Sequence, residues 1–89
     1  MTTLKVSSKS NPNSLAGAIV ATLRENPSVE IAGVGAGAIN QAIKAIAVGE
    51  GFVRPEGNEL VCIPYFENIT IEGEGRTSIR LRIEKRKMY

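Results

Sequence analysis

The stretch Val29-Glu30-Ile31-Ala32-Gly33-Val34-Gly35-Ala36-Gly37-Ala38-Ile39 decides the fold, because it passes from a strand pattern into a helical one across three glycines. Val29 to Val34 is a short apolar run rich in β-branched residues, which predicts a strand. Beyond Gly37, the residues Ile39, Ala42, Ile43, Ile46 and Ala47 share one face at helical spacing, while Asn40, Gln41 and Lys44 lie off it. Gly49 and Gly51 mark the end of that helix.

Working outward toward the N-terminus, Asn26-Pro27 stops an earlier helix in which Leu15, Ile19 and Leu23 recur every four residues beside Ala18 and Thr22. Before it, Ser8-Lys9-Ser10-Asn11-Pro12-Asn13-Ser14 is loop chemistry. Asn11 or Asn13 can cap the helix, and Pro12 suits a first helical position, where its missing N–H has no partner to lose. Thr3-Leu4-Lys5-Val6-Ser7 alternates with period two and predicts the first strand.

Toward the C-terminus, Phe52 to Asn58 is a connection containing Pro55 and Gly57, and Leu60-Val61-Cys62-Ile63 reads as a buried strand. Pro64 should weaken that strand or place it at a sheet edge. Ile69-Thr70-Ile71 leads into the turn Glu72-Gly73-Glu74-Gly75, and a last strand is expected from Arg76 or Thr77. There Ile79, Leu81 and Ile83 point one way, and Ser78, Arg80, Arg82 and Glu84 the other. The order is β-α-β-α-β-β. It implies a two-layer α/β (α+β) fold with two helices on one face of a mixed four-stranded sheet. Residues 1–89 fit one domain, with 85–89 expected as a mobile basic tail.

Composition excludes several chemistries. The chain has no His, Asp or Trp, so a Ser-His-Asp triad is impossible. Cys62 is the sole cysteine, which rules out an internal disulfide and leaves one soft ligand for a structural zinc site that needs about four Cys, His or carboxylate ligands. No run approaches the roughly 20 apolar residues that span a bilayer, and Met1 to Lys5 lacks a signal-peptide core. The expectation is a cytoplasmic protein that is not an enzyme, with no metal, cofactor or small-molecule substrate. The net charge of +2 is unevenly spread: residues 50–75 carry one basic and six acidic groups, and residues 76–89 carry six basic and one acidic.

Three constellations could carry function. Gly33-Val34-Gly35-Ala36-Gly37-Ala38 contains G-x-G-x-x-A, but a complete dinucleotide fold needs about twice this length. The remaining readings are a tight turn with close packing, or helix N–H groups open to a phosphate. Second, Ser7 to Asn13 precedes the first helix, and a right-handed βαβ unit brings both helix starts to one rim. Ser8, Lys9, Ser10 and Asn11 should then lie beside Gly35, Ala36, Gly37 and Asn40. Third, Arg76, Arg80, Arg82 and Lys85-Arg86-Lys87 form a basic run, read either as a solubilising surface or as one that tracks phosphates, with Arg76 and Arg80 assisting the rim. Gly17, inside the first helix, suggests a close backbone contact, either within the core or across a subunit interface.

Leu4-Lys5-Val6-Ser7, Ser10-Asn11-Pro12-Asn13-Ser14, Gly35-Ala36-Gly37-Ala38-Ile39-Asn40-Gln41-Ala42, Cys62-Ile63-Pro64 and Gly75-Arg76-Thr77 together resemble the stage V sporulation protein S family, from about Thr3 to Glu84. The resemblance implies an Alba-like fold, Alba being a small dimeric chromatin protein that binds DNA and RNA. It further implies nucleic-acid contact at Lys9 and at Gly35 to Asn40, with the hairpin from Ile71 to Thr77 as an arm. A homodimer or higher oligomer and a regulatory role in sporulation, or a related developmental programme, also follow from it. The acidic residues Glu72 and Glu74 and the low net charge keep an alternative open: a protein-interaction regulator that uses the same fold without nucleic acid.

Overall fold

The computed structural model describes residues 2–89. Strand β1 (Thr2–Lys5) leads to α1 (Pro12–Leu23), β2 (Ser28–Gly33), α2 (Ala36–Val53), a single 3-10 turn (Arg54–Glu56), β3 (Asn58–Ile71) and β4 (Glu74–Lys87). The sheet order is β1-β2-β4-β3. β1 and β2 are parallel, and the two remaining pairings are antiparallel. The expected β-α-β-α-β-β order and mixed sheet are therefore present.

Local chemistry explains how α1 forms. Asn11 is its cap: Oδ1 accepts from the N–H groups of Asn13 (2.8 Å) and Ser14 (3.1 Å), and Pro12 occupies the first turn. Leu15, Ile19 and Leu23 turn inward as expected, joined by Ala16 and Val20. They meet Val29 and Ile31 of β2 and Leu81 and Ile83 of β4, and Ile19, Val29, Ile31 and Ile83 are fully buried. Each such side chain contributes about 1.5–3 kcal/mol on leaving water.

Helix α2 presents a different face from the one its isoleucines suggest. Ala38, Ala42, Ala45, Gly49 and Val53 are buried, whereas Ile43 is 48% exposed and Ala47 is exposed. The helix lies close to both α1 and β3: a Cβ on Gly49 would stand 3.1 Å from Leu60 Cδ1 and 3.5 Å from Val20 Cγ2. Small residues fit that approach, so the larger isoleucines flank it. Gly17, by contrast, has nothing within 4 Å of where a Cβ would be, so it makes no close approach within the core.

The C-terminal half differs from expectation in part. β3 lies at the sheet edge, the second of the two outcomes expected for Pro64, and runs unbroken through that residue so that the Leu60 and Ile69 segments form one strand. The turn is confined to Glu72 (φ 51°) and Gly73 (φ 81°), the paired positive angles of a two-residue hairpin loop. β4 therefore starts at Glu74. It also takes in Lys85, Arg86 and Lys87, which pair with Leu60, Glu59 and Asn58, so the expected mobile tail is strand up to Lys87. Because β2 ends at Gly33, opposite Ile79, β3 and β4 continue past it as a two-stranded arm, and the molecule measures 46 × 22 × 18 Å.

Candidate nucleic-acid interface

The end of β1 folds into a tight polar turn. Val6 N–H donates to Ala32 O (3.0 Å), Ser7 N–H to Ser10 Oγ (2.9 Å), Lys9 N–H to Ser7 Oγ (3.2 Å) and Ser10 N–H to Ser7 O (3.1 Å). Serine hydroxyls satisfy the backbone here, and Lys9 is left exposed at the tip. Across from it, Gly35 (φ 92°) starts α2 without any side-chain cap. A residue with a side chain is strained at that angle, so the glycine both makes the turn and leaves the first N–H groups of α2 uncapped.

The two loops touch. A Cβ on Gly37 would lie 2.9 Å from Ser8 Cβ, and Gln41 Nε2 donates to Ser10 O at 2.8 Å. Gly33 packs as closely, its hypothetical Cβ falling 2.5 Å from Val6 Cγ1 and 3.1 Å from Ala38 Cβ. Packing thus accounts for Gly33 and Gly37 of the G-x-G-x-x-A string. Ser8, Lys9, Ser10 and Asn11 share one rim with Gly35, Ala36 and Gly37, and Asn40 is exposed one turn farther along α2. The arm flanks this rim, since Gly35, Ala36 and Asn40 share a shallow groove with Thr77, Ser78 and Ile79. Arg76 is exposed on the arm, and neither it nor Lys9 forms an ion pair among the described residues.

Arg80 lies elsewhere, on the sheet face away from the helices. Its Nη1 meets Glu67 Oε2 at 2.7 Å, its Nη2 donates to Thr3 Oγ1 at 3.2 Å, and its Nε stands 3.9 Å from Glu30 Oε1. Glu30 is only 7% exposed and also accepts from the Tyr65 hydroxyl. That hydrogen bond, with lesser help from burial, pushes the Tyr65 phenol above its ordinary range. Arg82 pairs with Glu84 (3.5 Å) and Arg86 with Glu59 (2.7 Å). Three arginines of the basic run are therefore matched by glutamates. Burial pushes the Cys62 thiol up, away from the reactive thiolate.

Two residues near the rim escaped the sequence reading. Gln41, one turn from Gly37, ties α2 to the Ser10 carbonyl, a link spanning 31 residues that no local pattern announces. Lys44 is exposed one turn beyond Asn40, and spacing alone could have flagged it. No helix is long and apolar enough to cross a membrane among the described residues.

A family model described as stage V sporulation protein S matches residues 2–86 of this chain. Among solved structures, Alba from Thermoplasma volcanium is similar over 94% of this chain and 100% of that one, with a TM-score of 0.61 and 13% sequence identity. At that identity the likeness is one of fold.

Proposed function

The chain belongs to the stage V sporulation protein S family, and we propose that it is a cytoplasmic, non-catalytic regulator of sporulation or a related developmental programme that binds nucleic acid as a homodimer. The observation that carries this reading is the convergence of the Lys9 turn with the uncapped start of α2 at Gly35 to Gly37. Free N–H groups at a helix start attract an anion, glycines let a backbone come close, and Lys9 adds a mobile cation. Together these suit the phosphates of DNA or RNA. Asn40 and Arg76 extend the path on either side, and Lys44 continues it along α2.

Such contacts position a protein on nucleic acid without reading bases, so binding is expected to be nearly independent of sequence. Arg80 is left out of the path, because Glu67 and Glu30 already hold it. Catalysis has little to work with: the chain lacks His and Asp, and Glu30 and Glu67 are held by Tyr65 and Arg80. A mobility-shift series on duplex DNA and on RNA at low salt tests the reading. Retardation of at least one is expected; no retardation of either sinks it.

One feature favours the second reading, a protein-interaction regulator. The basic strand is largely neutralised, while Phe66 is 76% exposed beside Pro64 and Ile79. Recovery of a stable protein partner without nucleic acid is the result that supports it.

A further inference from the structure

Tyr65 lies on the sheet side away from the helices, and its side chain departs from the usual strand posture. Side chains on a strand ordinarily stand roughly perpendicular to the sheet. The Tyr65 hydroxyl instead donates to Glu30 Oε1. Tyr65 pairs with Arg80 of β4, and Glu30 of β2 pairs with Arg82 on the far side of that same strand. Tyr65 and Glu30 are therefore two strand spacings apart, roughly 9–10 Å. A side chain that reaches across that gap lies flat over β4. Tyr65 nevertheless stays 40% exposed, so one face of its ring rests on the sheet and the other is open to solvent.

The tether that holds the ring down is itself costly. The Glu30 side chain is 9% exposed, and its Oε2 is enclosed without a hydrogen-bond partner among the described residues. A buried, half-satisfied carboxylate destabilises a fold. What it secures here is the orientation of one aromatic ring.

A groove joins that ring to the rim. Ser7, Ser8 and Lys5 line one wall, and Glu67 and Ile69 of β3 line the other. Lys5, Ala32, Arg80 and Tyr65 form one row across the four strands. Charge along this route favours an anion: Glu67, Glu84 and Glu59 are each paired with an arginine, whereas Lys5, like Lys9, forms no ion pair among the described residues. We propose that Tyr65 is a stacking platform for one unpaired base of a single-stranded nucleic acid, whose phosphates pass from the Lys9 turn along Lys5. This deepens the function proposed above and rests on its phosphate contacts. The flat, uncharged ring face selects the occupant. It accepts another flat π-face of any base, and bases inside a duplex are already covered by their neighbours, so only an unpaired one can lie on it. Ile63, 40% exposed and two residues along β3 on the same side, gives the base an apolar neighbour.

The chain's second tyrosine is Tyr89, so in Tyr89→Phe the ring protons of Tyr65 stand alone in a tyrosine-labelled NMR spectrum. A short oligoadenylate strand should move those signals upfield as it saturates. An abasic strand of equal length, and a blunt duplex, should bind without moving them. In a mobility-shift assay Tyr65→Leu should weaken binding of the oligoadenylate by about 5- to 150-fold and leave duplex binding unchanged. Tyr65→Phe keeps the ring and should stay closer to wild type than Tyr65→Leu does. The NMR readout needs no change at Tyr65, so it stands even if Tyr65→Leu does not fold. Bound oligoadenylate with unmoved Tyr65 signals overturns the stacking, as does a folded Tyr65→Leu that binds the strand like wild type. In those cases duplex binding continues and the phosphate rim stands. Failure to bind duplex, abasic strand and oligoadenylate alike overturns both readings.

Discussion

Replacing Arg80 with methionine separates a structural arginine from a binding one. The side chain stem stays, but Glu67 loses a 2.7 Å charged hydrogen bond and Glu30, 7% exposed, keeps only the Tyr65 hydroxyl as a side-chain partner. A hydrogen bond to a charged group contributes about 1.5–3 kcal/mol, and breaking a buried ion pair costs about 3–5 kcal/mol. Here Arg80 and Glu67 remain 25% and 32% exposed, so water recovers part of the loss. The expected cost is about 2 kcal/mol, which for a domain of this size lowers Tm by about 8–16 °C. Urea unfolding followed by circular dichroism should show an earlier midpoint at unchanged slope. Adding Glu30→Leu and Glu67→Leu should restore part of the stability, because no orphaned carboxylate is left. Affinity for DNA or RNA should stay within about twofold, the scatter of a substitution remote from the binding rim. Unchanged stability together with abolished nucleic-acid binding refutes the reasoning and returns Arg80 to the phosphate path.

Other perturbations test the packing and capping arguments. Gly33→Ala forces a methyl to within 2.5 Å of Val6 Cγ1 and 3.0 Å of Val6 O, so urea unfolding should register a loss of about 1–3 kcal/mol; Gly17→Ala, in open helix surface, should instead stabilise by about 0.5–1 kcal/mol. Asn11→Ala removes the acceptor for two N–H groups of α1 and should cost about 1 kcal/mol in the same assay. The Tyr65 phenol is raised by its hydrogen bond to Glu30, so its contribution to stability is full below the unfolded value of about 10 and is lost as pH rises through the higher folded value. In a Tyr89→Phe background the tyrosinate absorbance should appear at higher pH in folded protein than in urea, and coincident curves count against that hydrogen bond.

Local signals carried the architecture a long way. Asn11-Pro12 and Asn26-Pro27 bracketed α1, Gly35 and Gly37 placed the start of α2, and alternation at Ile79, Leu81 and Ile83 assigned the buried face of β4. What escaped depended on partners distant in sequence. The buried face of α2 is set by how near α1 and Leu60 approach, which favours Ala42 and Gly49 over Ile43. Pro64 left two outcomes open for β3, a weakened strand or an edge strand, and the choice between them is a property of the sheet order, which puts β3 at the edge. The basic run looked like one surface until Glu59 and Glu67, brought alongside by the hairpin, matched Arg86 and Arg80. At the rim, chain topology sufficed to bring the turn after β1 to the start of α2, where Ser8 meets Gly37, whereas the bond from Gln41 to the Ser10 carbonyl needed the folded chain.

The central claim is that phosphates bind where the Lys9 turn meets the start of α2, and salt titration of wild type against Lys9→Glu tests it most directly. Binding to duplex DNA should weaken linearly in log affinity against log salt, and the variant should bind all sequences more weakly. Its slope should be shallower by about 0.9 for each phosphate that the variant no longer neutralises. Equal affinity and equal slope for the two proteins would contradict the account.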